Sequence, residues 1–137
     1  MREAVAAIVA HADRRPAVLV VEDEILIRFA IAEHLREHGF RVLEAGNGAE
    51  AVELLAADTP VDVVFTDIEI PHRVDGITLL RWISKSQQRI PVILTSGRTS
   101  SAEAVRNIVQ NAKFFKKPYR LSEIAECIRA MLIDKSG

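Results

Sequence analysis

Short runs of β-branched and other apolar residues alternate with longer segments of helical periodicity from residue 17 onward, and this alternation constrains the fold more than any other feature. Five such runs predict strands, at residues 17–21, 40–44, 61–66, 91–95 and 113–116. Parallel strands need crossover connections, which are right-handed in about 98% of cases. Five β-α units in 137 residues therefore predict an α/β domain whose parallel sheet has helices on both faces.

The segments between the predicted strands carry start and stop signals for helices. Apolar residues recur at every fourth position in the first segment, and a glycine follows them. The second segment begins with an asparagine and a glutamate three residues later, which predicts a capped helix that ends before a proline. Further helices are predicted over residues 77–83 and 121–133, and another begins at a capping box between them. The residues that carry these signals are Ile27, Ile31, Leu35, Gly39, Asn47, Glu50, Pro60, Ser100 and Glu103.

The length and the composition fit one domain with its own hydrophobic core. Hydrophobic residues occupy 49% of the 137 positions, enough to bury a core without disulfides or structural metals. We expect an N-terminal extension over residues 1–15, helical or disordered, a domain over residues 16–134 and a tail over residues 135–137. The apolar run at residues 4–10 is shorter than a signal peptide requires, and no run approaches the roughly 20 apolar residues of a membrane span.

Charge and cysteine content exclude some partners and compartments. The chain has 18 basic and 19 acidic residues without a basic stripe, so direct binding of nucleic acid is not expected. The single cysteine, Cys127, has no partner for an internal disulfide and is interpreted as a small apolar residue of a helix. These features are typical of a reducing compartment, and we expect a cytoplasmic location.

Polar residues able to do chemistry follow the predicted strands. In open α/β sheets ligands bind beyond the carboxyl ends of the strands, and in the flavodoxin-like order 2-1-3-4-5 the first and third strands are neighbours. Glu22, Asp23 and Asp67 should therefore converge. Three carboxylates repel one another unless a cation lies among them, and oxygen ligands with open positions suit Mg²⁺. Lys117 adds positive charge and Ser96 a hydroxyl, so the site should attract phosphate, with Asp67 as the nucleophile.

Four segments at these strand ends together resemble the receiver domains of response regulators in two-component signalling. The segments are residues 18–24 with an acidic pair, residues 67–71 followed by Asp75 and Gly76, residues 91–97 with a hydroxyl residue, and residues 114–118 with a lysine-proline pair. The resemblance implies a stand-alone signalling switch that is not an enzyme, although it catalyses its own phosphotransfer and autodephosphorylation. It also implies that the phosphoryl group comes from the phosphohistidine of a sensor histidine kinase or of a histidine phosphotransfer protein.

The same resemblance implies a metal-binding role for several acidic residues. Asp67 is the expected phosphoacceptor. The expected Mg²⁺ ligands are Asp23 and Asp67 directly, Glu22 through a water molecule, and the backbone carbonyl of Glu69. Glu22 replaces the aspartate that is commoner in the family at that position.

The resemblance implies a second set of residues for the phosphoryl group and the switch. Ser96 and Lys117 are expected to hold the phosphoryl group, and Ser96 and Phe114 are expected to form the conformational switch. The signal is expected to leave through the face made by the fifth strand and by the two predicted helices next to it along the chain. Its target is a downstream protein that the sequence does not identify.

Two polar residues near the site are expected to tune the rate of dephosphorylation. Glu69 and Arg98 each lie two positions beyond a site residue, Asp67 and Ser96 respectively. Our hypothesis is that Glu69 and Arg98 pair across the mouth of the site and change the lifetime of the phosphorylated form. The loop after Asp67 is also one residue longer than the family pattern.

Three other functions are compatible with parts of the sequence. A pseudo-receiver would share the fold but act as a phosphorylation-independent protein-binding module. His34 and His38 match the H-x-x-E-H pattern of inverted zinc peptidases, although no third ligand is evident nearby. A flavodoxin-like cofactor binder is disfavoured because no Ser/Thr/Gly-rich phosphate loop follows the first strand.

Overall fold

A computed structural model of the chain describes residues 15–57, 59–69, 76–86, 89–97 and 112–136. These residues form one sheet of five parallel strands in the order β2-β1-β3-β4-β5. The strands are β1 (Ala17–Val21), β2 (Arg41–Ala45), β3 (Val63–Asp67), β4 (Val92–Ser96) and β5 (Ala112–Lys116). The predicted flavodoxin-like fold and its strand order are confirmed.

The described residues also contain four helices. They are α1 (Ile25–Glu37), α2 (Gly48–Ala56), α3 (Gly76–Ser86) and α4 (Leu121–Ser136). α4 ends at Ser136, beyond the predicted end at residue 133. The helix predicted to begin at Ser100 and the N-terminal residues 1–14 lie outside the described residues. Within the described parts of the chain, no helix is both long enough and apolar enough to cross a bilayer.

The third strand begins two residues later than predicted and ends on an aspartate. Asp62 is tied to the start of β1 before β3 begins, because its N–H donates to the Ala17 carbonyl oxygen (2.8 Å) and its carboxylate accepts the Ala17 N–H (2.8 Å). β3 then runs beside β1 and β4 through Thr66 to Asp67, which lies opposite Thr95. The backbone of Asp67 is therefore held by the sheet.

Two hydrophobic cores lie on opposite faces of the sheet. Side chains of β1 alternate between them, because successive residues of a strand point to opposite faces. Leu19 and Val21 pack on the side of α2 and α3, whereas Val18 and Val20 pack on the side of α1 and α4. Fully burying one such side chain stabilises the fold by about 1.5–3 kcal/mol. With both faces covered, the strand ends are the accessible places for charged groups.

Helix α1 buries only part of its predicted apolar stripe. Ile31 and Leu35 are buried, whereas Ile27 is 39% exposed and does not belong to either core. Positions four apart in a helix of 3.6 residues per turn drift around its axis, so the first of three such residues leaves the buried face. The predicted stop is confirmed, since Gly39 has a φ of 92° and the Phe40 N–H donates to the Leu35 carbonyl oxygen (3.1 Å).

The predicted cap of the second helix is confirmed. The Asn47 side chain accepts the Glu50 backbone N–H at 2.8 Å at the start of α2. The Glu50 carboxylate in return accepts the Gly46 N–H at 3.2 Å. Replacing such a cap by alanine typically costs about 1 kcal/mol.

Candidate functional site

Asp67 presents its carboxylate at the carboxyl end of a wholly buried strand. All of β3 is buried, and Asp67 itself is 5% exposed. Its Oδ2 lies 2.5 Å from the Lys117 ammonium nitrogen, and its Oδ1 accepts the Glu69 backbone N–H at 3.0 Å. A buried charge is tolerated when it is paired and hydrogen-bonded, and both oxygens of Asp67 meet that condition.

Lys117 follows β5 and is fixed by the neighbouring strand. Its backbone N–H donates to the Ser96 carbonyl oxygen at 2.9 Å, which continues the pairing of β4 and β5. Burial alone would lower the pKa of Lys117. The hydrogen bond and charge of Asp67, together with the charges of Glu22 and Glu69, outweigh burial and raise that pKa above its ordinary value. Lys117 is therefore a positively charged group of the site at neutral pH.

Glu22 follows β1 and is 4% exposed. Its backbone is held on both sides, because its N–H donates to the Ala45 carbonyl oxygen (3.0 Å) and its carbonyl oxygen accepts the Arg28 guanidinium (3.0 Å). Its Oε2 is buried and has no hydrogen-bond partner among the described residues. Burial first, and then the charge of Asp67, raise the pKa of Glu22 to about 7. The buried Glu22 side chain therefore has an oxygen to which no described residue donates a hydrogen bond.

The acidic residues fit a hydrated cation better than a closed metal site. Asp23 and Glu24 follow Glu22 and are exposed, and their charges also raise the pKa of Glu22. No three histidine, cysteine or acidic side chains of the described residues are grouped so as to hold a metal ion by themselves. Mg²⁺ keeps several waters and needs few protein ligands. A hydrated Mg²⁺ would satisfy the unpartnered Glu22 oxygen near Asp67, so the residues present fit this ion.

Ser96 is the last residue of β4, and its hydroxyl points into the site. Ser96 is completely buried, and its Oγ donates to a carboxylate oxygen of Glu69. Glu69 is exposed and lies on the turn that follows β3. Its predicted partner Arg98 lies outside the described residues, so the pairing of Glu69 with Arg98 stays a hypothesis.

Phe114 and Phe115 pack on opposite faces of β5. Phe114 pairs with Leu94 in the sheet register and is partly buried against the core beside α2 and α3. Phe115 packs against the core beside α1 and α4. Phe114 therefore lies on a face of the sheet where a change of rotamer would alter packing, as a switch residue requires.

Two residues near the site were not predicted from the sequence. The Tyr119 ring packs edge-on against Phe65, with ring centroids 5.9 Å apart. Burial, followed by the charges of Glu22 and Asp67, raises the pKa of Tyr119 to about 12, so its hydroxyl stays protonated beside the acidic residues. Arg28 holds the Glu22 backbone through the contact given above. The position of Arg28 in the helical pattern of α1 does not indicate that contact. For Tyr119, the only signal in the sequence is that it follows Lys117 by two residues.

The two histidines at zinc-peptidase spacing are close together in the structure. The His34 and His38 rings have centroids 4.2 Å apart and planes tilted by 31°, and the His38 Nδ1 lies 2.8 Å from the His34 carbonyl oxygen. No third histidine, cysteine or acidic side chain of the described residues lies where it could complete a metal site with them. The pair thus caps the end of α1 without a third ligand from that part of the chain.

The site combines a carboxylate, an ammonium group and a hydroxyl at one end of the sheet. A carboxylate can form a covalent phosphoryl intermediate. Phosphoryl transfer depends mostly on positioning and on neutralising the charge of the phosphoryl oxygens, which an ammonium and a hydroxyl donor support. The geometry of Asp67, Lys117 and Ser96 is therefore suited to accepting a phosphoryl group.

Comparison with known proteins gives one consistent result. The sequence model of the response regulator receiver domain family matches residues 18–129. The chain is 38% identical over 118 residues to the sensor kinase CckA of Brucella abortus and 37% identical over 118 residues to the transcriptional regulatory protein PdtaR of Mycobacterium tuberculosis. These matches cover 84% and 81% of this chain, but only 12% of CckA and 54% of PdtaR. The chain therefore spans about half or less of these relatives.

Solved structures support the same fold. The signal receiver domain of an HD domain-containing protein from Pseudomonas fluorescens superposes with a TM-score of 0.81 at 25% identity. The match covers 90% of this chain and 98% of that domain.

Proposed function

This chain belongs to the response regulator receiver domain family of two-component signalling, and on that premise we propose that Asp67 accepts a phosphoryl group. The donor in this proposal is the phosphohistidine of a sensor histidine kinase or of a histidine phosphotransfer protein. The observation that carries the proposal is the buried Asp67 carboxylate at the end of β3, with the Lys117 ammonium 2.5 Å away.

The proposed transfer is a direct displacement at phosphorus. An Asp67 carboxylate oxygen forms the new O–P bond, the P–N bond of the phosphohistidine breaks, and the electron pair of that bond leaves with the imidazole nitrogen. Lys117 and Ser96 then hold phosphoryl oxygens. In the return reaction water attacks phosphorus and the O–P bond breaks, which regenerates the Asp67 carboxylate and releases inorganic phosphate. The chain thus works as a switch that catalyses its own phosphorylation and dephosphorylation.

Mg²⁺ is the proposed cofactor. Asp23, Asp67 and the Glu69 backbone carbonyl would bind it directly, and Glu22 through water. When bound, the ion would neutralise the negative charge that the carboxylates and the phosphoryl group bring together. The unpartnered buried oxygen of Glu22 supports this assignment, because that oxygen otherwise lacks a hydrogen bond in a low-dielectric place.

The proposed output is a shift between two conformations. A phosphoryl group adds about −1.5 to −2 charges and three acceptor oxygens at pH 7. Ser96 would move toward these oxygens, and the rearrangement at the end of β4 would give Phe114 space to turn into the site. The altered face would include β5, α4 and the helix predicted to begin at Ser100, and a downstream protein would bind there. A cytoplasmic location is part of this proposal.

Intact-mass measurement after incubation with a small phosphodonor and Mg²⁺ tests the proposal. The wild-type chain should gain the mass of one phosphoryl group, and Asp67→Asn should gain none. Asp62→Asn, a change at a partly buried aspartate that is bonded to Ala17 outside the site, serves as the matched control and should be labelled like wild type. An unlabelled wild-type protein, under conditions that label another receiver domain, would instead favour the pseudo-receiver.

A further inference from the structure

The hydroxyl that is proposed to bind the phosphoryl group is already engaged in the unphosphorylated protein. Ser96 is fully buried at the end of β4, and its hydroxyl donates to a carboxylate oxygen of Glu69, 27 residues earlier in the chain. Glu69 is exposed on the turn after β3 and reaches inward to make this contact. A hydrogen bond to a charged acceptor is roughly twice as strong as one between neutral groups. An incoming phosphoryl group therefore meets a hydroxyl that an anion already holds.

Glu69 is also tied to the other groups of the site. Its backbone N–H donates to Asp67 Oδ1 at 3.0 Å, so the same residue contacts the nucleophile and the switch hydroxyl. The negative charge of Glu69 lies close enough to Lys117 to contribute to the electrostatics of that ammonium. The Glu69 carboxylate thus lies close to Ser96 and Lys117, the two groups that are proposed to bind the phosphoryl oxygens. Like the phosphoryl group, it is negatively charged.

We propose that the Glu69 carboxylate acts as an internal substitute for the phosphoryl group. The carboxylate holds the Ser96 hydroxyl before phosphorylation and must release it when the phosphoryl group arrives. This inference rests on the proposed function of Asp67. The exchange is feasible because Glu69 is exposed, so its carboxylate can return to water without a large desolvation cost. Repulsion between the carboxylate and the new phosphoryl group favours the release.

The exchange sets a threshold for the switch. Phosphorylation gains the hydrogen bond from Ser96 only after the bond from Ser96 to Glu69 is lost, so the net gain is smaller than in a site with a free hydroxyl. Glu69 is therefore a positioning residue that acts through Ser96. Its removal should raise both the rate of phosphorylation and the steady-state fraction of phosphorylated protein.

A double-mutant cycle tests this coupling. Phosphorylation by phosphoramidate in the presence of Mg²⁺ is followed by intact mass for wild type, Glu69→Ala, Ser96→Ala and the double variant. Glu69→Ala alone should raise the initial rate about tenfold, the factor that corresponds to one charge-assisted hydrogen bond. Glu69→Gln keeps an acceptor oxygen without the charge, and it should give an intermediate rate. In the Ser96→Ala background, Glu69→Ala should change the rate by less than about twofold.

Two results would overturn the inference while leaving the proposed function intact. One is an unchanged rate in Glu69→Ala when wild type is phosphorylated and Asp67→Asn is not. The other is an equal increase with and without the Ser96 hydroxyl, because the effect of Glu69 would then be simple repulsion of the phosphodonor. If wild type itself takes up no phosphoryl group, the failure belongs to the proposed function. Thermal unfolding of each variant checks that the rates come from folded protein.

Discussion

The middles of the strands and their carboxyl ends differ sharply in what they bury. β1 is apolar and at most 1% exposed along its whole length. Among the described residues, every buried polar or charged side chain lies in the last two positions of β3 or β4, or directly after β1. These residues are Glu22, Thr66, Asp67, Thr95 and Ser96.

The contrast separates the residues that stabilise the fold from those of the candidate site. Removing apolar side chains from water stabilises the fold, whereas burying charges opposes it unless each charge is paired. Asp67 is paired with Lys117, but Glu22 Oε2 has no partner among the described residues. The charged groups at the carboxyl ends of the strands thus lower the stability of the fold, and the apolar strand middles offset that loss. The candidate site lies at these strand ends.

The largest expected effect concerns the strand middle. Phe65→Ala should destabilise the fold by about 3–5 kcal/mol, because Phe65 is 1% exposed and its removal leaves a cavity. Phe29→Ala is the matched control, since Phe29 is 58% exposed and its loss should change the free energy of unfolding by about 0.5 kcal/mol or less. Urea denaturation measures both. Similar values for the two variants would contradict the assignment of stability to the strand middles.

The next effect concerns the charged end and depends on pH. The folded-state pKa of Glu22 is about 7 against an ordinary 4.5, so the folded protein binds the proton more tightly and stability falls as pH rises through this window. Glu22→Gln, without added metal, should stabilise the protein by about 2–3 kcal/mol above pH 7 and have no effect below pH 4.5.

Denaturation of wild type and Glu22→Gln between pH 4 and pH 8.5 checks this prediction. Glu24→Gln, at the exposed neighbouring position, is the control and should stay within about 0.5 kcal/mol of wild type. A difference between wild type and Glu22→Gln that is the same at both ends of the range would assign the effect to packing, and the strand end would then carry no charge penalty.

A smaller effect tests how tightly the backbone packs at the site. A Cβ added to Gly76 would lie 2.4 Å from Ile68 Cα and 2.7 Å from the Asp67 carbonyl oxygen. Gly76→Ala should therefore cost about 2 kcal/mol, because the start of α3 must move away from the end of β3. A Cβ on Gly97 meets no described atom within 4 Å, so Gly97→Ala should cost far less. Thermal unfolding would compare them, and equal losses would be inconsistent with close packing at Gly76.

The smallest effect is the relief of the cost by a cation. Mg²⁺ at ten times its Kd should stabilise the wild-type protein by about 1.4 kcal/mol. Mg²⁺ disfavours protonation of Glu22. The affinity of the protein for Mg²⁺ should therefore rise with pH up to about 7, the pKa of Glu22. This pH dependence should disappear in Glu22→Gln and binding should weaken strongly in Asp23→Asn. Titration calorimetry at pH 5.5, 7 and 8.5 measures both effects. An affinity for Mg²⁺ that does not depend on pH would mean that Glu22 takes no part in binding the ion.

Much of the fold and part of the site could be predicted because both depend on short apolar runs. These runs located the strands to within two residues, and parallel pairing brings their carboxyl ends to one edge. The contact between Asp67 and Lys117 joins residues 50 positions apart, yet it follows from the ends of β3 and β5 lying on either side of β4. The place of Ser96 at the end of the fourth strand also followed from the apolar run before it.

Other features could not be predicted, because they depend on where individual side chains reach. The contact between Glu69 and Ser96 was not expected. The predicted pairing of Glu69 with Arg98 is untested by it, because Arg98 lies outside the described residues. Nothing in the pattern of α1 indicates that Arg28 holds the Glu22 backbone.

The sequence by itself determined the order of strands and helices, the edge of the sheet that holds the acidic residues, and the position of Asp67 at the end of the third strand. Periodicity and strand ends are properties of short segments, so they can be recognised in the sequence without knowledge of the tertiary structure. Only the tertiary structure decided which donor the other carboxylates meet: Ser96 for Glu69 and no described partner for Glu22 Oε2. The reason is physical, since hydrogen bonds require contact within about 3 Å and fixed angles, and such geometry exists only after separate strands have packed.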